Sequence, residues 1–460
     1  MGLFILFIIT GLEIAFTVVS IRKQGTKGDW KKQRIFLDIL ELAALLIFMA
    51  LPKISFHFRF KMCMFWMIFR LFFALLGWVL GKKKKEQKMK NISLIVRTVG
   101  CMAFLLVSLI PSFLFSGYDG LETSGSYSVK TGKAILIDEA RKETFESDGS
   151  FREIPMYFYY PDIQQTDSSE RNPEEGFPLV IFSHGAFGYY QSNSSTYMEL
   201  ASNGYVVVSL DHPYHSFFTK DTEGKTILVN PQFIEEVNAI NQEAVPEEEI
   251  FAKSEQWIEL RTNDVNAVLD AIKEAASNPD ASKRWYVEKE EDRSYVLEAL
   301  SLTNYDKIGL MGHSLGGATA VALGRSRSDI SAVIDLDGTM LSERLSIKGD
   351  TYEYSKEPYP IPILSIDNEE HHELSQTMGS LYVNRYISEH AIDGMNTYFV
   401  GSGHMNFTDL PLFSPFLSKM LGIGSIDSES CIKQMNEIVL MYFNHYLKNE
   451  GEVVLKSCYR

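Results

Sequence analysis

Lys307-Ile308-Gly309-Leu310-Met311-Gly312-His313-Ser314-Leu315-Gly316-Gly317-Ala318-Thr319-Ala320 is the stretch on which the reading of the chain turns. Apolar residues run up to Gly312, and small residues suited to a close-packed helix follow Ser314. Gly312 to Gly316 reads G-H-S-L-G and matches the G-x-S-x-G pattern of a nucleophile elbow, in which a serine stands on a sharp strand-to-helix turn. The glycines on either side leave room for that turn and for close packing of the helix. The helix N-terminus then lies under the serine, where its dipole favours negative charge. Without the flanking strand and helix the same residues would be only a glycine-rich turn carrying a serine.

Outward from this stretch the chain alternates buried strands with helices. Phe177 to Phe182 is a continuous apolar run that ends in Ser183-His184-Gly185-Ala186-Phe187-Gly188. A helical pattern through Tyr197, Leu200 and Ala201 follows, then a strand at Tyr205 to Leu210 ending at Asp211. After the elbow come Ala332 to Ile334, running into Asp335-Leu336-Asp337-Gly338, and Ile361 to Ile366, running into Asp367. A helix over Leu374 to Ser388 leads to a strand at Thr397 to Val400 and the loop Gly401-Ser402-Gly403-His404, with a final helix over Ile432 to Tyr446. Continuous apolar strands separated by helices mean parallel βαβ units. Lys133 to Asp138 and Ile154 to Tyr160 read as an antiparallel hairpin at the sheet edge. The expected fold is the α/β-hydrolase fold, a mostly parallel central sheet with helices on both faces. Ser216 to Thr303 interrupts the alternation. Its polar first part, about 216–260, reads as a lid-like insertion, and Glu259 to Ala276 as a helix of the core.

A serine hydroxyl needs a base within hydrogen-bond reach, and the base needs a carboxylate to orient it. In this fold class the chain order is serine, acid, histidine. His404 follows a strand in a small-residue loop and is the expected base. His371 and His372, in Asn-Glu-Glu-His-His-Glu, are weighed as a metal cluster and read instead as a solvated loop; His390 and His445 lie on helices. Asp335, Asp337 and Asp367 all follow strands, and position alone leaves Asp337 and Asp367 open as the acid. The oxyanion hole needs two backbone N–H groups. Leu315, just after the serine, is one donor, and Ala186 in the His184-Gly185-Ala186 loop is the other. His184 precedes the serine and is read as a brace of that loop. This chemistry calls for no metal and no organic cofactor.

The N-terminal part is different. Up to Gly120 there are 17 Lys and Arg against 6 Asp and Glu, whereas the remainder holds 27 against 53. The acidic remainder argues against nucleic acid as a partner. Gly2 to Ile21, Ile35 to Leu51, Met62 to Leu80 and Ile92 to Phe115 are apolar stretches near the ~20 residues that span a bilayer. The second is the weakest, since it carries Asp38 and Glu41. Lys and Arg concentrate in the first loop (Arg22, Lys23, Lys27, Lys31, Lys32, Arg34) and the third (Lys82 to Lys85, Lys88, Lys90), against Lys53, Arg59 and Lys61 in the second. With four spans, loops one and three are cytoplasmic and the domain after Phe115 lies outside the cell. Glu13, Asp38, Glu41, Arg70 and Arg97 fall in or near the spans and are read as paired across helices or placed at the interface. The expected domains are a membrane region over 1–116, a linker over 117–131 and the hydrolase domain over 132–460. Of the cysteines, Cys431 and Cys458 could pair if that domain is extracytoplasmic.

Phe182-Ser183-His184-Gly185, Gly312 to Thr319, Leu336-Asp337-Gly338 and Ser402-Gly403-His404-Met405-Asn406-Phe407 resemble, in order and approximate spacing, the plasma-type platelet-activating factor acetylhydrolases over most of Gly132 to Tyr446. The resemblance implies the acid after the strand that follows the elbow, hence Asp337. It also implies Ser314 and His404 as nucleophile and base, and calcium-independent hydrolysis of short acyl esters, notably of phospholipids. The N-terminal spans and Ser216 to Thr303 fall outside it. Cutinase-like and dienelactone-hydrolase-like enzymes share the elbow. The expectation is a membrane-anchored serine ester hydrolase acting on short-acyl or lipid-derived esters. An acyltransferase using the same triad, and an inactive hydrolase-like membrane sensor or scaffold, are the alternatives.

Overall fold

The computed structural model describes residues 2–51, 58–80, 86–164, 175–242, 244–349 and 351–460. Lys53 and Lys82 to Lys85, which weigh in the orientation argument, lie outside the described residues. By internal packing the chain divides into two units, Met1–Gly120 with Pro411–Met420, and Leu121–Leu410 with Leu421–Arg460.

The first unit begins with helices α1 (Gly2–Lys23), α2 (Lys27–Met49), α3 (Phe58–Leu80), α4 (Asn91–Ser108) and the short α5 (Ile110–Leu114). Three of them, α1, α3 and α4, are long and apolar enough to cross a membrane. Helix α2 is as long as α3, and the Thr26 hydroxyl caps it by accepting from Asp29 N. Asp38 and Glu41, in its apolar stretch, point inward. Arg34 grips Glu13 through two nitrogens at 2.5 and 2.7 Å and reaches Asp38 at 2.9 Å. Arg70 pairs with Glu13 at 2.9 Å, with Asp38 at 3.0 Å, and with Glu41. Phe7, Phe36, Phe65, Phe69 and Phe72 face outward and are exposed. Charge inside and apolar surface outside is the reverse of a water-soluble bundle.

The second unit holds β1 (Val129–Lys142), β2 (Phe151–Pro161), β3 (Phe177–Ser183), α6 (Ser194–Ser202) and β4 (Val206–Leu210). The insertion comprises a small hairpin, β5 (Phe218–Lys220) and β6 (Thr226–Leu228), then α7 (Pro231–Asn241) and the start of α8 (Glu247–Ser277). Next come α9 (Glu290–Ser301), β7 (Thr303–His313), α10 (Leu315–Ser326), β8 (Ala332–Leu336) and the hairpin β9 (Arg344–Lys348) and β10 (Thr351–Tyr354). The chain continues through β11 (Ile363–Asp367), α11 (Glu369–Met378), α12 (Val383–Glu389) and β12 (Gly394–Phe399). The chain then passes through α13 (Leu410–Phe413) and α14 (Pro415–Met420), of which Pro411–Met420 belongs to the first unit, and ends with α15 (Ser428–Lys448) and β13 (Cys458–Tyr459).

One sheet of nine strands, ordered β1-β2-β4-β3-β7-β8-β11-β12-β13, forms the centre. From β4 to β13 neighbours are parallel, while β1 and β2 are antiparallel to each other and β2 is antiparallel to β4. This is the α/β-hydrolase arrangement. Every residue of β3, β4, β8 and β11 is buried, as expected of strands covered on both faces. Consequently the loops at their C-terminal ends gather at one edge of the sheet.

Several elements differ from the sequence reading. The helix expected over Leu374 to Ser388 is two helices, α11 and α12, because Gly379 takes φ +59° and breaks the run. Helix α8 begins at Glu247 rather than Glu259, since its first turns are too polar for apolar periodicity to reveal them. The two hairpins and β13 are too short to show alternation. All four cysteines carry free thiols, so the Cys431–Cys458 pairing is not formed; Cys431 is buried on α15 and Cys458 lies in β13.

The buried pairs of the first unit yield a test. Arg70→Gln leaves Glu13, Asp38 and Glu41 short of a counter-charge, a loss of about 3–5 kcal/mol for a broken buried pair. Thermal unfolding of the full chain in detergent should show it as a lowered midpoint. Arg22→Gln, at an exposed helix end, should shift the midpoint hardly at all.

Candidate active site

Ser314 stands between β7 and α10 with φ 56° and ψ −124°. A non-glycine residue holds such a conformation at a cost of about 1–3 kcal/mol, so its surroundings must enforce it. They do so by contact. A Cβ on Gly316 would lie 1.9 Å from Ser183 O, and one on Gly312 would lie 2.2 Å from Gly316 O. Only glycines let the turn close here. Ser314 N donates to Leu336 O at 2.8 Å and fastens the elbow to β8.

Asp337 follows β8 with φ 55° and is buried. Its Oδ2 lies 2.6 Å from His404 Nδ1, in the turn after β12. Asn368, after β11, donates its backbone N–H to Asp337 Oδ1 at 2.7 Å and its side-chain amide to Oδ2 at 2.9 Å. His371 Nδ1 stands 2.9 Å from Oδ1. Burial alone would raise the Asp337 carboxyl, but His371 and His404 hold it well below the usual carboxylate range. Asp367, the other candidate acid, is engaged elsewhere. It accepts from Ser365 Oγ at 3.0 Å and Asn396 Nδ2 at 2.7 Å, and burial raises its carboxyl to about 6. The structure therefore brings Asp337, not Asp367, to His404.

His313, inside the elbow motif, locks the base from the other side. Its Nε2 is 3.1 Å from His404 O, and the rings are 4.5 Å apart. Burial pulls its pKa down to about 3, so the ring is neutral. A carbonyl only accepts, which places the ring proton on Nε2. Among the described residues Ser314 Oγ makes no hydrogen bond; in unliganded sites such contacts often form only with substrate.

The loop after β3 closes against the serine. A Cβ on Gly185 would lie 3.1 Å from Ser314 Cβ. Phe187 takes φ 61°, and its N–H donates to His215 O at 3.2 Å. The N–H of Ala186 finds no acceptor among the described residues. Leu315 opens α10, so its N–H is one of the first-turn donors without an intrahelical partner. His184 braces the loop, with Nδ1 2.7 Å from Gly185 O and Nε2 2.8 Å from Ser216 Oγ. Arg261 of α8, fully buried, donates to His184 O at 2.5 Å and to Gly185 O at 3.3 Å. Burial lowers its pKa to about 9 against the pull of Asp264.

Behind the loop lies a second serine–histidine–aspartate chain. Ser183 Oγ is 2.9 Å from His212 Nε2, and His212 Nδ1 is 3.0 Å from Asp264 Oδ2. All three are buried, and Asp264 also pairs with Arg152 at 2.8 Å and Arg141 at 2.9 Å. Burial, followed by the nearby Arg261, lowers His212 to about 4. This chain is a support for the loop, with no exposed nucleophile.

Apolar side chains of the insertion cover the Ala186–Leu315 side. Phe233, Trp257, Ile258 and Leu315 form one cluster with Ala186 and Phe187 against it. Phe233 packs edge-on to Phe187 at 5.3 Å and to Trp257 at 5.2 Å. The cluster forms a packed apolar wall beside the elbow.

The metal cluster weighed at His371 and His372 is not assembled. His371 turns to Asp337, and His372 stacks on Tyr398 at 3.6 Å. Among the described residues the group close enough to share a metal is Glu13, Asp38 and Glu41, which Arg34 and Arg70 occupy. Reading His371 as solvated is corrected here. Asn368 is the usable signal, a helix-capping residue three positions before His371 and directly after a strand. Arg261 left no such signal, because a charged residue on a helix normally reads as surface.

A family model described as "Platelet-activating factor acetylhydrolase, isoform II" matches residues 160–455. The platelet-activating factor acetylhydrolase of Canis lupus familiaris is 27% identical over 284 residues, covering 59% of this chain and 58% of that protein. That of Gallus gallus is 24% identical over 287 residues, covering 60% and 63%. The chain thus spans about three-fifths of the length of these curated relatives. A ferulic acid esterase from Streptomyces cinnamoneus shares the fold with a TM-score of 0.52 at 17% identity, over 73% of this chain and 95% of that one. The family match takes in the loop after β3, the elbow, Asp337 and His404, and it extends over more than half of the sequence: the chain belongs to the platelet-activating factor acetylhydrolase isoform II family.

Proposed function

We propose that the protein is a serine ester hydrolase held at a membrane by its N-terminal helices. The observation that carries this reading is the 2.6 Å contact of His404 with a buried, ionised Asp337 beside the strained Ser314. Ser314 Oγ attacks the ester carbonyl while His404 Nε2 takes its proton. Asp337 keeps the other ring proton on Nδ1 and offsets the imidazolium charge. The N–H groups of Ala186 and Leu315 receive the oxyanion. His404 then protonates the leaving alcohol, and water activated by the same ring releases the acid from Ser314.

The relatives are named for removing acetyl groups from platelet-activating factor, which supports short-acyl or lipid-derived esters as substrates. The apolar cluster of Phe187, Phe233 and Trp257 suits the apolar part of such an ester. The outward phenylalanines and inward charges of the first unit support all four long helices as spans, α2 included, because its acids meet arginines instead of lipid. On that topology, and on the basic loops, the hydrolase domain lies outside the cell.

In detergent, the full chain should hydrolyse p-nitrophenyl acetate and be labelled at Ser314 by a fluorophosphonate. Labelling that persists in Ser314→Ala, or none in the wild type, refutes the reading. Asp337→Asn should lower kcat by about 10³-fold or more, since the amide cannot stabilise the imidazolium; steady-state kinetics reads this directly. Phe233→Ala should raise kcat/KM for p-nitrophenyl octanoate relative to acetate by roughly tenfold, the low end of what one methylene of added room is worth.

A further inference from the structure

The carboxylate that faces His404 also faces a second imidazole. His371 Nδ1 lies 2.9 Å from Asp337 Oδ1, and His404 Nδ1 lies 2.6 Å from Oδ2. The two rings are 6.2 Å apart at 65°. His371 Nδ1 makes no directed hydrogen bond, so the contact is ionic. Its placement is built in. Asn368 caps α11 by accepting from His371 N at 2.7 Å, while its own backbone and amide donate to Asp337. One helix start therefore sets both the carboxylate and its second cation.

The groups around His371 are mostly acidic. Asp335 and Asp337 come from the end of β8 and Asp367 from the end of β11, all buried. His404 and His313 face it from their own elements, and the Tyr382 hydroxyl shares the same three carboxylates. On α11 itself Glu370 and Glu373 are exposed, Glu369 is partly so, and His372 stacks on Tyr398. Burial opposes a charge on His371, but Asp337, then Asp367 and Asp335, raise its pKa to about 9.

We propose that His371 is a positioning residue: a second cation on Asp337 that limits how strongly this carboxylate holds a proton on His404. The proposal rests on the reading of Ser314, Asp337 and His404 as a triad. A carboxylate shared between two cations stabilises each less than one serving a single cation. The charge on His371 also disfavours a second charge one ring away. The linked effect on stability follows from the raised pKa. What His371 contributes is complete below its unfolded value of about 6.5 and is lost as pH rises towards 9.

The test compares the full chain in detergent with His371→Asn, which removes the charge, and His371→Lys, which keeps one. In His371→Asn the acid limb of kcat/KM should move up by about half a pH unit or more, with KM nearly unchanged. In His371→Lys it should stay near the wild-type position. The stability gap between wild type and His371→Asn should narrow from pH 6 to pH 9. An unmoved acid limb in His371→Asn overturns the proposal. A second measurement needs no turnover. Titration of ¹⁵N-histidine signals in Ser314→Ala, with and without His371→Asn, should show the same upward shift for His404. An unlabelled Ser314 with a shifted His404 defeats the hydrolase reading alone, whereas a labelled Ser314 with an unshifted His404 defeats the role of His371 alone.

Discussion

The Asp337 carboxylate is the constraint on which the rest of the site depends. It is buried, yet it keeps its charge because the backbone and amide of Asn368 and the His404 ring hydrogen-bond to it and the His371 ring lies 2.9 Å away as a counter-charge. An isolated carboxylate in that position would protonate, as the raised pKa values of neighbouring Asp335 and Asp367 illustrate. Three strands end at these acids or at their partners. β8 delivers Asp337, β11 leads to Asn368 and α11, and the turn after β12 delivers His404. Parallel strand order places those ends side by side, so residues far apart in sequence share one carboxylate.

A second polar centre stands on the other side of Ser314 and does a different job. Arg261, Asp264, Arg152 and His212 are buried together behind the loop of Ala186. Arg152 pairs with Asp264 and Glu143, while Arg261 gives its hydrogen bonds to two carbonyls and to His215. Arg261 spends its donors on the carbonyls of His184 and Gly185, which leaves the Ala186 N–H unclaimed. Phe187 is strained at φ 61° in the same loop. Backbone donors proposed for a developing charge have to be fixed before reaction to be useful, and this network fixes the loop that carries Ala186. It also shows why a serine–histidine–aspartate chain is not by itself a site. Ser183, His212 and Asp264 have the right contacts but neither exposure nor strain.

The first unit solves the opposite problem. Much of its helical surface is apolar, and five of its charged side chains are gathered inside, where Arg34 and Arg70 meet Glu13, Asp38 and Glu41. Such pairing makes α2, with two acids in its apolar stretch, compatible with its three more apolar neighbours.

The sequence by itself determined the elbow, the parallel strands, the serine and the histidine. These are local matters: continuous apolar runs, glycines at fixed offsets, and a histidine directly after a strand. It also separated a basic apolar half from an acidic one. It did not decide between Asp337 and Asp367 on position, because both follow buried strands with the same pattern. Only the tertiary structure separates them, by giving Asp367 to Ser365 and Asn396 and Asp337 to His404. The same holds for His371, read as part of a solvated loop, and for Arg261, which no motif picks out, until packing shows the carboxylate and the carbonyls they serve. The physical reason is common to all three. A charge's role depends on which partners reach it across the fold, and no spacing along one chain records that.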